Sequence, residues 1–170
     1  MTASVDTLVA RLADAERRLA EHAAAPLPSG LADPDPGAEE RWEAGQVWAH
    51  LAEFPAYWLA QAERVIAQPT HDPVPFGRVK TDAGRLEAIE RDRHTDPAAL
   101  FERVRASLAE VSDAVRSWDD ATWQRRGAHP VRGEMPVERI VETFIVDHLE
   151  EHADQLDGLA SSETGPGSEA

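Results

Sequence analysis

The sequence predicts an all-α protein, a four-helix bundle with one short extra helix in the connection between helices 2 and 3. Three observations favour this fold. Four long segments carry apolar residues at the three- and four-residue spacing of amphipathic helices, joints rich in proline and glycine separate them, and no segment alternates like a strand. We expect one bundle domain over residues 1–160 and a disordered polar tail over residues 161–170.

The first two long helices are predicted over residues 4–25 and 38–67. Helix 1 is amphipathic, with an apolar stripe formed by Val5, Leu8, Val9, Leu12 and Leu19. The joint that follows, residues 26–37, contains four prolines and two glycines, which interrupt helical structure. The apolar stripe of helix 2 consists of Val47, Leu51, Phe54, Trp58 and Val65.

The short extra helix is predicted over residues 82–92, after a proline-rich connection over residues 68–80. Asp96 and Pro97 then provide an N-cap and a first helical residue, so helix 3 begins here and reaches about Trp118. A loop is predicted over residues 119–134. Helix 4 follows over residues 135–159, with Pro136 in its first turn.

Helix 4 places two histidines on its apolar face. The apolar residues of this face are Val137, Ile140, Val141, Phe144, Ile145, Leu156 and Leu159. His148 and His152 fall near the middle of the same face, one turn apart. Burying an imidazole costs free energy unless its nitrogens have partners, and an i, i+4 pair directs two nitrogens at one point. That arrangement is typical of a site for a single metal ion.

A third histidine, His50, lies beside the apolar stripe of helix 2. Bundle interiors commonly hold metal sites built from facing helices, and three imidazoles leave coordination positions for water or substrate. The alternative is that these are core histidines, hydrogen-bonded to the backbone and to carboxylates. Two histidines on one apolar face and a third on another helix favour a divalent-metal site composed of His50, His148 and His152.

The remaining histidines favour simpler roles. Surface or capping positions are expected for four of them, which lie in or beside loops or near the end of helix 1: His22, His71, His94 and His129. Glu43 and Glu151 occupy helical positions from which a carboxylate can support an imidazole or act as a general base. A solvated carboxylate is the simpler interpretation of both.

Three arginines crowd the loop before helix 4, namely Arg125, Arg126 and Arg132. They form the one local basic cluster of an acidic chain. Surface salt bridges are the simpler interpretation. The alternative is that these arginines bind a carboxylate or phosphate group of a ligand or cofactor, for which the guanidinium fork is suited.

The composition excludes several classes of function. With 17 basic and 32 acidic residues the net charge is −15, so we expect neither nucleic acid nor a membrane as a partner. No apolar run is long enough to span a bilayer, and the N-terminus lacks the layout of a secretory signal, so a cytoplasmic location is expected. Because the chain has no cysteine, any sulfur chemistry requires an external thiol.

Four segments resemble the DinB/YfiT-like metalloenzyme superfamily: VWAHLAEFPAYW around His50, PFGR at residues 75–78, RGAHPVRGEMPV at residues 126–137, and FIVDHLEEHADQL at residues 144–156. The last is the most specific, because His-x3-His-x2-Gln-Leu is the usual closing motif of that family. The resemblance implies a four-helix bundle, often a homodimer, whose metal is bound by one histidine of the second helix and two of the last. Those positions are His50, His148 and His152.

The resemblance also implies a class of activity. Relatives include thiol S-transferases that use bacillithiol or mycothiol, and a mycothiol-dependent maleylpyruvate isomerase. Sixteen arginines to one lysine and a high alanine content are typical of a GC-rich genome, which favours mycothiol by analogy. We therefore expect a metal-dependent S-transferase for small electrophiles, with zinc as the first candidate metal and nickel or iron as alternatives. The competing hypotheses are a non-catalytic metal- or ligand-binding bundle of stress-response type, and a structural dimer whose histidines merely pack.

Overall fold

The computed structural model describes residues 4–34 and 39–163. Its helices are α1 (Val5–Ala24), α2 (Ala44–Ala67), α3 (Ala83–Asp92), α4 (Pro97–Ser117), α5 (Asp120–Trp123), α6 (Val137–Val141) and α7 (His148–Glu163). A π-helical segment, Glu142–Asp147, joins α6 to α7, so the three form one long helix. The strands are β1 (Val74–Pro75), β2 (Arg126–His129) and β3 (Gly133–Pro136). The predicted four-helix bundle is confirmed, with α3 as the short extra helix.

Capping residues explain where the helices begin. The Ser4 hydroxyl accepts from the Thr7 N–H at the start of α1, and Asp96 caps α4, whose first residue is Pro97. Helix α2 begins at Ala44, six residues later than predicted. The backbone N–H of Glu43 bonds to the side chain of Gln46 (3.0 Å), a capping contact that sets this boundary. The predicted start at residue 38 lies outside the described residues.

A three-stranded sheet occupies part of the region that was predicted to be a loop. β1 pairs with β2 in parallel, with Val74 opposite Gly127, and β2 pairs with β3 in antiparallel, with Gly127 opposite Met135. The loop predicted over residues 119–134 therefore contains one short strand and the start of another, a correction to that prediction. Strands of two to four residues are too short to show alternation, and the glycines and prolines in them are typical of turns. Because β3 extends through Pro136, this residue is the N-cap of α6 and does not form its first turn.

The fourth long helix differs from the regular helix that was predicted. Its middle turn, Glu142–Asp147, is π-helical, which inserts an extra residue and rotates the following turns about the axis. α7 continues to Glu163, so residues 161–163 of the predicted tail are helical. Residues 164–170 lie outside the described residues.

The core lies between the long helices. Leu12 of α1, Val104 of α4 and Leu156 of α7 are each no more than 2% exposed, and α2 contributes more buried residues than any other described helix. His50 and His152 are buried within this apolar interior. None of the described helices is long and apolar enough to cross a membrane.

Replacing Gly127 with alanine is expected to lower the free energy of unfolding by about 1–3 kcal/mol. A Cβ there would lie 2.5 Å from Phe76 Cδ1 and 3.1 Å from Ile140 Cδ1, and both side chains are buried. The matched control is Gly158→Ala in α7, where a Cβ meets nothing within 4 Å and a gain of about 0.5–1 kcal/mol is expected. Urea denaturation measures both variants, and equal effects would contradict the packing of β2 on the bundle.

Candidate metal centre

Three imidazoles from two helices meet inside the bundle. His50 extends from the middle of α2, His148 is the first residue of α7, and His152 lies one turn further on. The Nε2 atom of His148 is 3.0 Å from that of His50 and 3.2 Å from that of His152. His50 and His152 are buried, whereas the side chain of His148 is 22% exposed. The structure thus brings together the three histidines that the spacing had singled out.

An oxygen atom on the same helix holds the second nitrogen of each ring. His50 Nδ1 lies 2.9 Å from Glu53 Oε1, and His148 Nδ1 lies 3.3 Å from Glu151 Oε2. His152 Nδ1 lies 2.7 Å from the amide oxygen of Gln155, a residue that follows it by three positions. Because carboxylate and amide oxygens accept hydrogen bonds, Nδ1 of each neutral ring carries the proton. Each Nε2 then presents a lone pair to the other two.

This donor set fits a divalent metal ion. Three lone pairs that face one another repel unless a positive charge lies between them. Nitrogens bound to a metal ion at about 2.0–2.1 Å are separated by distances from about 2.8 Å in octahedral geometry to about 3.4 Å in tetrahedral geometry. The observed separations of 3.0 and 3.2 Å agree with this range. The oxygen partners on Nδ1 are those that commonly orient histidine ligands of metals.

Glu53 supports the histidine cluster, a contact that the sequence interpretation missed. Its carboxylate accepts from His50 Nδ1 and also pairs with Arg78, whose Nη2 lies 2.5 Å from Glu53 Oε1. The side chains of both Glu53 and Arg78 are 9% exposed, so this is a buried pair. The position of Glu53, three residues after His50 on the same helix, was the sequence feature that could have predicted this contact. Glu43 lies elsewhere, paired with Arg93.

Burial lowers the pKa of His50 well below its usual value of 6.5. Loss of hydration on burial is the largest cause, followed by the neighbouring His152 and His148 and then by Arg85 and Arg78. The ring is therefore neutral, which is the form that binds a metal.

A cavity of about 390 Å³ opens beside the cluster, lined by His50 and His148. One wall is aromatic, because the rings of Trp58 and Phe144 stack with their centroids 4.2 Å apart. The lining contains five cationic side chains, those of Arg78, Lys80, Arg85, Arg132 and Arg139. Only two carboxylates line it among the described residues, those of Asp147 and Glu151.

The three arginines of the predicted basic cluster occupy different places. Arg132 lines the cavity. Arg125 instead donates to the backbone carbonyl of Gln68, and Arg126 pairs with Glu134 at 3.5 Å. Neither of these two contributes to the cavity lining.

A surface or capping position was expected for His129. The residue is buried, but it does cap a turn. Its Nδ1 accepts from the backbone N–H groups of Val131 and Arg132, both at 3.2 Å, and its Nε2–H donates to the carbonyl of Arg78. Burial, the largest cause, lowers the pKa of His129, so the ring is neutral as these bonds require. The other expected roles match the structure: His22 pairs with Asp157, and two histidines are exposed, His71 and His94.

Comparison with known proteins identifies relatives of this fold. The sequence profile of the DinB superfamily matches residues 4–156, which confirms the resemblance drawn from the motifs. No curated protein matches the sequence. The structure is similar to YfiT from Bacillus subtilis, described as a probable metal-dependent hydrolase with an unusual four-helix bundle topology. The two are 16% identical with a TM-score of 0.76, over 96% of this chain and 90% of YfiT.

Two further structures share the fold. The mycothiol-dependent maleylpyruvate isomerase is 13% identical with a TM-score of 0.69, over 91% of this chain. This chain spans 61% of the length of that isomerase. An uncharacterised protein from Clostridium difficile 630 is 9% identical with a TM-score of 0.63, over 98% of this chain and 99% of that one. At these identities the similarities show a common fold.

Lowering the pH from 7 to 5 is expected to destabilise the metal-free protein. Below about pH 6.5 the unfolded chain protonates His50 while the folded chain keeps it neutral, so the unfolded state binds more protons. The free energy of unfolding therefore falls, by up to about 1.4 kcal/mol per pH unit for this group. His129, whose pKa is also lowered by burial, likewise lowers the free energy of unfolding as the pH falls. Asp92 and Asp157, whose pKa values are lowered from 3.8, titrate below this window.

Urea denaturation in the presence of a chelator, at intervals between pH 7 and pH 5, measures this dependence. The His50→Gln variant is the control, because it removes the titrating ring and retains the contribution of His129. A wild-type slope no steeper than that of His50→Gln would contradict the neutral buried imidazole.

Proposed function

The chain belongs to the DinB superfamily, and from this premise we propose that it is a metal-dependent enzyme that transfers a low-molecular-weight thiol of the mycothiol type to small electrophiles. One observation carries the proposal. Three imidazole nitrogens converge at the wall of an open cavity large enough for a small molecule. A site that only stabilised the fold would not need an accessible face.

His50, His148 and His152 are the proposed ligands of a divalent metal, with zinc first and nickel or iron as alternatives. When bound, such an ion lowers the pKa of a coordinated thiol and so provides thiolate at neutral pH. Glu53, Glu151 and Gln155 orient the three rings through Nδ1. The homodimer expected from the family resemblance stays a prediction.

The residues of the cavity have separate roles in the proposed transfer. The external thiol loses its proton to Glu151, whose side chain lines the cavity and is 45% exposed. The sulfur forms a bond to an electrophilic carbon as the carbon–leaving-group bond breaks, and the leaving group takes the electron pair. Trp58 and Phe144 provide an apolar surface for the electrophile. Among the three arginines of the basic cluster, we retain Arg132 as the ligand-binding residue because it alone lines the cavity.

Two facts support an external thiol, and the absence of cysteine from the chain is compatible with one. The mycothiol-dependent isomerase shares its fold. The composition, with sixteen arginines to one lysine, is typical of GC-rich genomes. A second candidate is metal-dependent hydrolysis, favoured by the description of YfiT as a probable metal-dependent hydrolase. A non-catalytic metal-binding bundle is the third, and an absence of turnover in a metal-loaded protein would favour it.

Protein purified without an affinity tag is expected to contain about one divalent metal ion per chain. The His148→Ala variant removes the central nitrogen of the cluster, so it should lose at least tenfold in zinc affinity. Elemental analysis measures the metal content, and zinc titration measures the affinity. The control is His22→Ala, because His22 pairs with Asp157 away from the cluster. Absence of metal in the wild type, or equal loss in both variants, would contradict the proposed site.

The metal-loaded protein is expected to conjugate mycothiol to a haloarene such as 1-chloro-2,4-dinitrobenzene. Loss of several kcal/mol of metal assistance should lower kcat/KM in His148→Ala by about 100-fold or more. The product is measured by absorbance, with bacillithiol and glutathione as comparison thiols. If ester substrates are cleaved at equal rates with the thiol omitted, hydrolysis replaces transfer. If no thiol supports turnover, the S-transferase assignment is wrong.

A further inference from the structure

We propose that the cavity beside the histidine cluster contains a carboxylate-binding subsite in which Arg132 binds an anionic group of the electrophilic substrate. This inference rests on the proposed function, because it names the class of the second substrate. It assigns to Arg132 a role in selecting the electrophile and none in binding the thiol.

The charge of the cavity is opposite to that of the protein. The whole chain carries a net charge of −15, yet the cavity lining has five cationic side chains against two carboxylates. A concave surface of one sign raises the local concentration of ligands of the other sign. Small anions are therefore the ligands that this cavity attracts, although the rest of the surface repels them.

Most of these cations are already committed to neighbours within the protein. Arg78 pairs with Glu53, and Arg139 pairs with Glu142 at 2.7 Å. Arg85 donates to the carbonyl of Lys80. Carboxylates thus pair with Arg78 and Arg139, and a backbone carbonyl holds the guanidinium of Arg85.

Arg132 differs from its neighbours. Within the part of the chain that the structure describes, its guanidinium has no carboxylate at ion-pair distance. The two carboxylates of the lining are engaged elsewhere, since Asp147 pairs with Arg11 at 2.8 Å and Glu151 contacts His148. An unpaired, exposed guanidinium in the lining of a cavity, in a chain with nearly twice as many acids as bases, is available to a ligand.

The backbone that carries Arg132 is held in place. The turn between β2 and β3 is fixed by His129, whose Nδ1 accepts from the backbone N–H of Arg132. The guanidinium carbon lies 5.4 Å from the ring centroid of Phe144, and this ring packs against both Trp58 and His129. The cation is thus positioned over the aromatic wall, so less conformational entropy is lost when a ligand binds.

Two other polar atoms of the same lining have no hydrogen-bond partner among the described residues. They are Nε of Arg78, whose side chain is 9% exposed, and Oγ1 of Thr143. Buried polar groups without a partner are rare in folded proteins and commonly mark a site for a ligand or ordered water. Both atoms are shielded from solvent, so the subsite rests on Arg132 alone.

The ligand class follows from these features. One unpaired guanidinium presents a planar fork that matches a planar carboxylate through two parallel hydrogen bonds. A phosphate dianion would require a second uncommitted cation for full neutralisation. The stacked rings of Trp58 and Phe144 and the exposed side chains of Val79 and Val131 suit a flat apolar body. The substrate is therefore an aromatic or unsaturated carboxylic acid that bears the electrophilic carbon.

Binding is tested without turnover by titrating metal-free protein with benzoate and with benzamide, its neutral analogue of similar shape. Chemical shifts of the tryptophan indole N–H groups report occupancy beside Trp58. Benzoate is expected to bind at least tenfold more tightly than benzamide, and Arg132→Gln should remove this preference. Arg132→Lys should restore part of it. The matched control is Arg126→Gln, because Arg126 belongs to the same basic cluster and does not line the cavity.

Equal binding of the two probes, or equal effects of Arg132→Gln and Arg126→Gln, would overturn the proposal. Turnover gives a second readout: with 4-chloro-3-nitrobenzoate as the electrophile, Arg132→Gln should raise KM about tenfold and leave the KM for the thiol unchanged. A rise in the thiol KM instead would overturn the assignment and leave the S-transferase proposal standing. If benzoate binding depends on Arg132 but no turnover is detected, the proposed function is contradicted and the carboxylate-binding subsite is supported.

Discussion

Three imidazole rings converge on one point inside an apolar bundle, and hydrogen bonds to well-anchored side chains hold the rings of His50 and His152 in this orientation. Glu53 holds the ring of His50 and is itself held by Arg78, so a buried ion pair supports one side of the cluster. Gln155 holds the ring of His152 and donates its amide N–H to a backbone carbonyl before α2. Such a cluster is costly without a shared cation. Its partners stabilise it only in the orientation that a metal ion requires.

Two departures from regular helical structure bring the cavity to this cluster. The π-helical turn before His148 rotates the fourth long helix so that Phe144 and Thr143 line the cavity beside the histidine. The β2–β3 turn carries Arg132, whose guanidinium carbon lies 5.4 Å from the ring centroid of Phe144. Both are local irregularities supported by close packing, as Gly127 shows by leaving no room for a Cβ beside Phe76. The bundle thus supplies the three histidines, whereas the irregular segments supply part of the cavity wall beside them.

Sequence periodicity predicted the elements that are repetitive and missed those that are not. Apolar spacing identified the long helices and placed His148 and His152 inside, because burial dominates the choice of residues on a helix face. The small sheet, the π-helical turn and the start of α2 depend on tertiary contacts and short capping motifs, which leave little periodic signal. Glu53 was missed for a related reason, because a carboxylate on a helix normally indicates a solvated position and only the fold shows that it is buried.

The cluster has a rigid side and an accessible side, and this asymmetry determines how a ligand approaches. His50 and His152 are buried, and the oxygen that holds His50 belongs to a side chain only 9% exposed. His148 is partly exposed, and its partner Glu151 is 45% exposed and lines the cavity. His148, Glu151 and Arg132 all line the cavity, so an external group that enters it lies beside the exposed part of the cluster. Two of the rings are closed off from solvent, while the third is open to the cavity. In the proposed function, this division would combine stable metal binding with exchange of substrate.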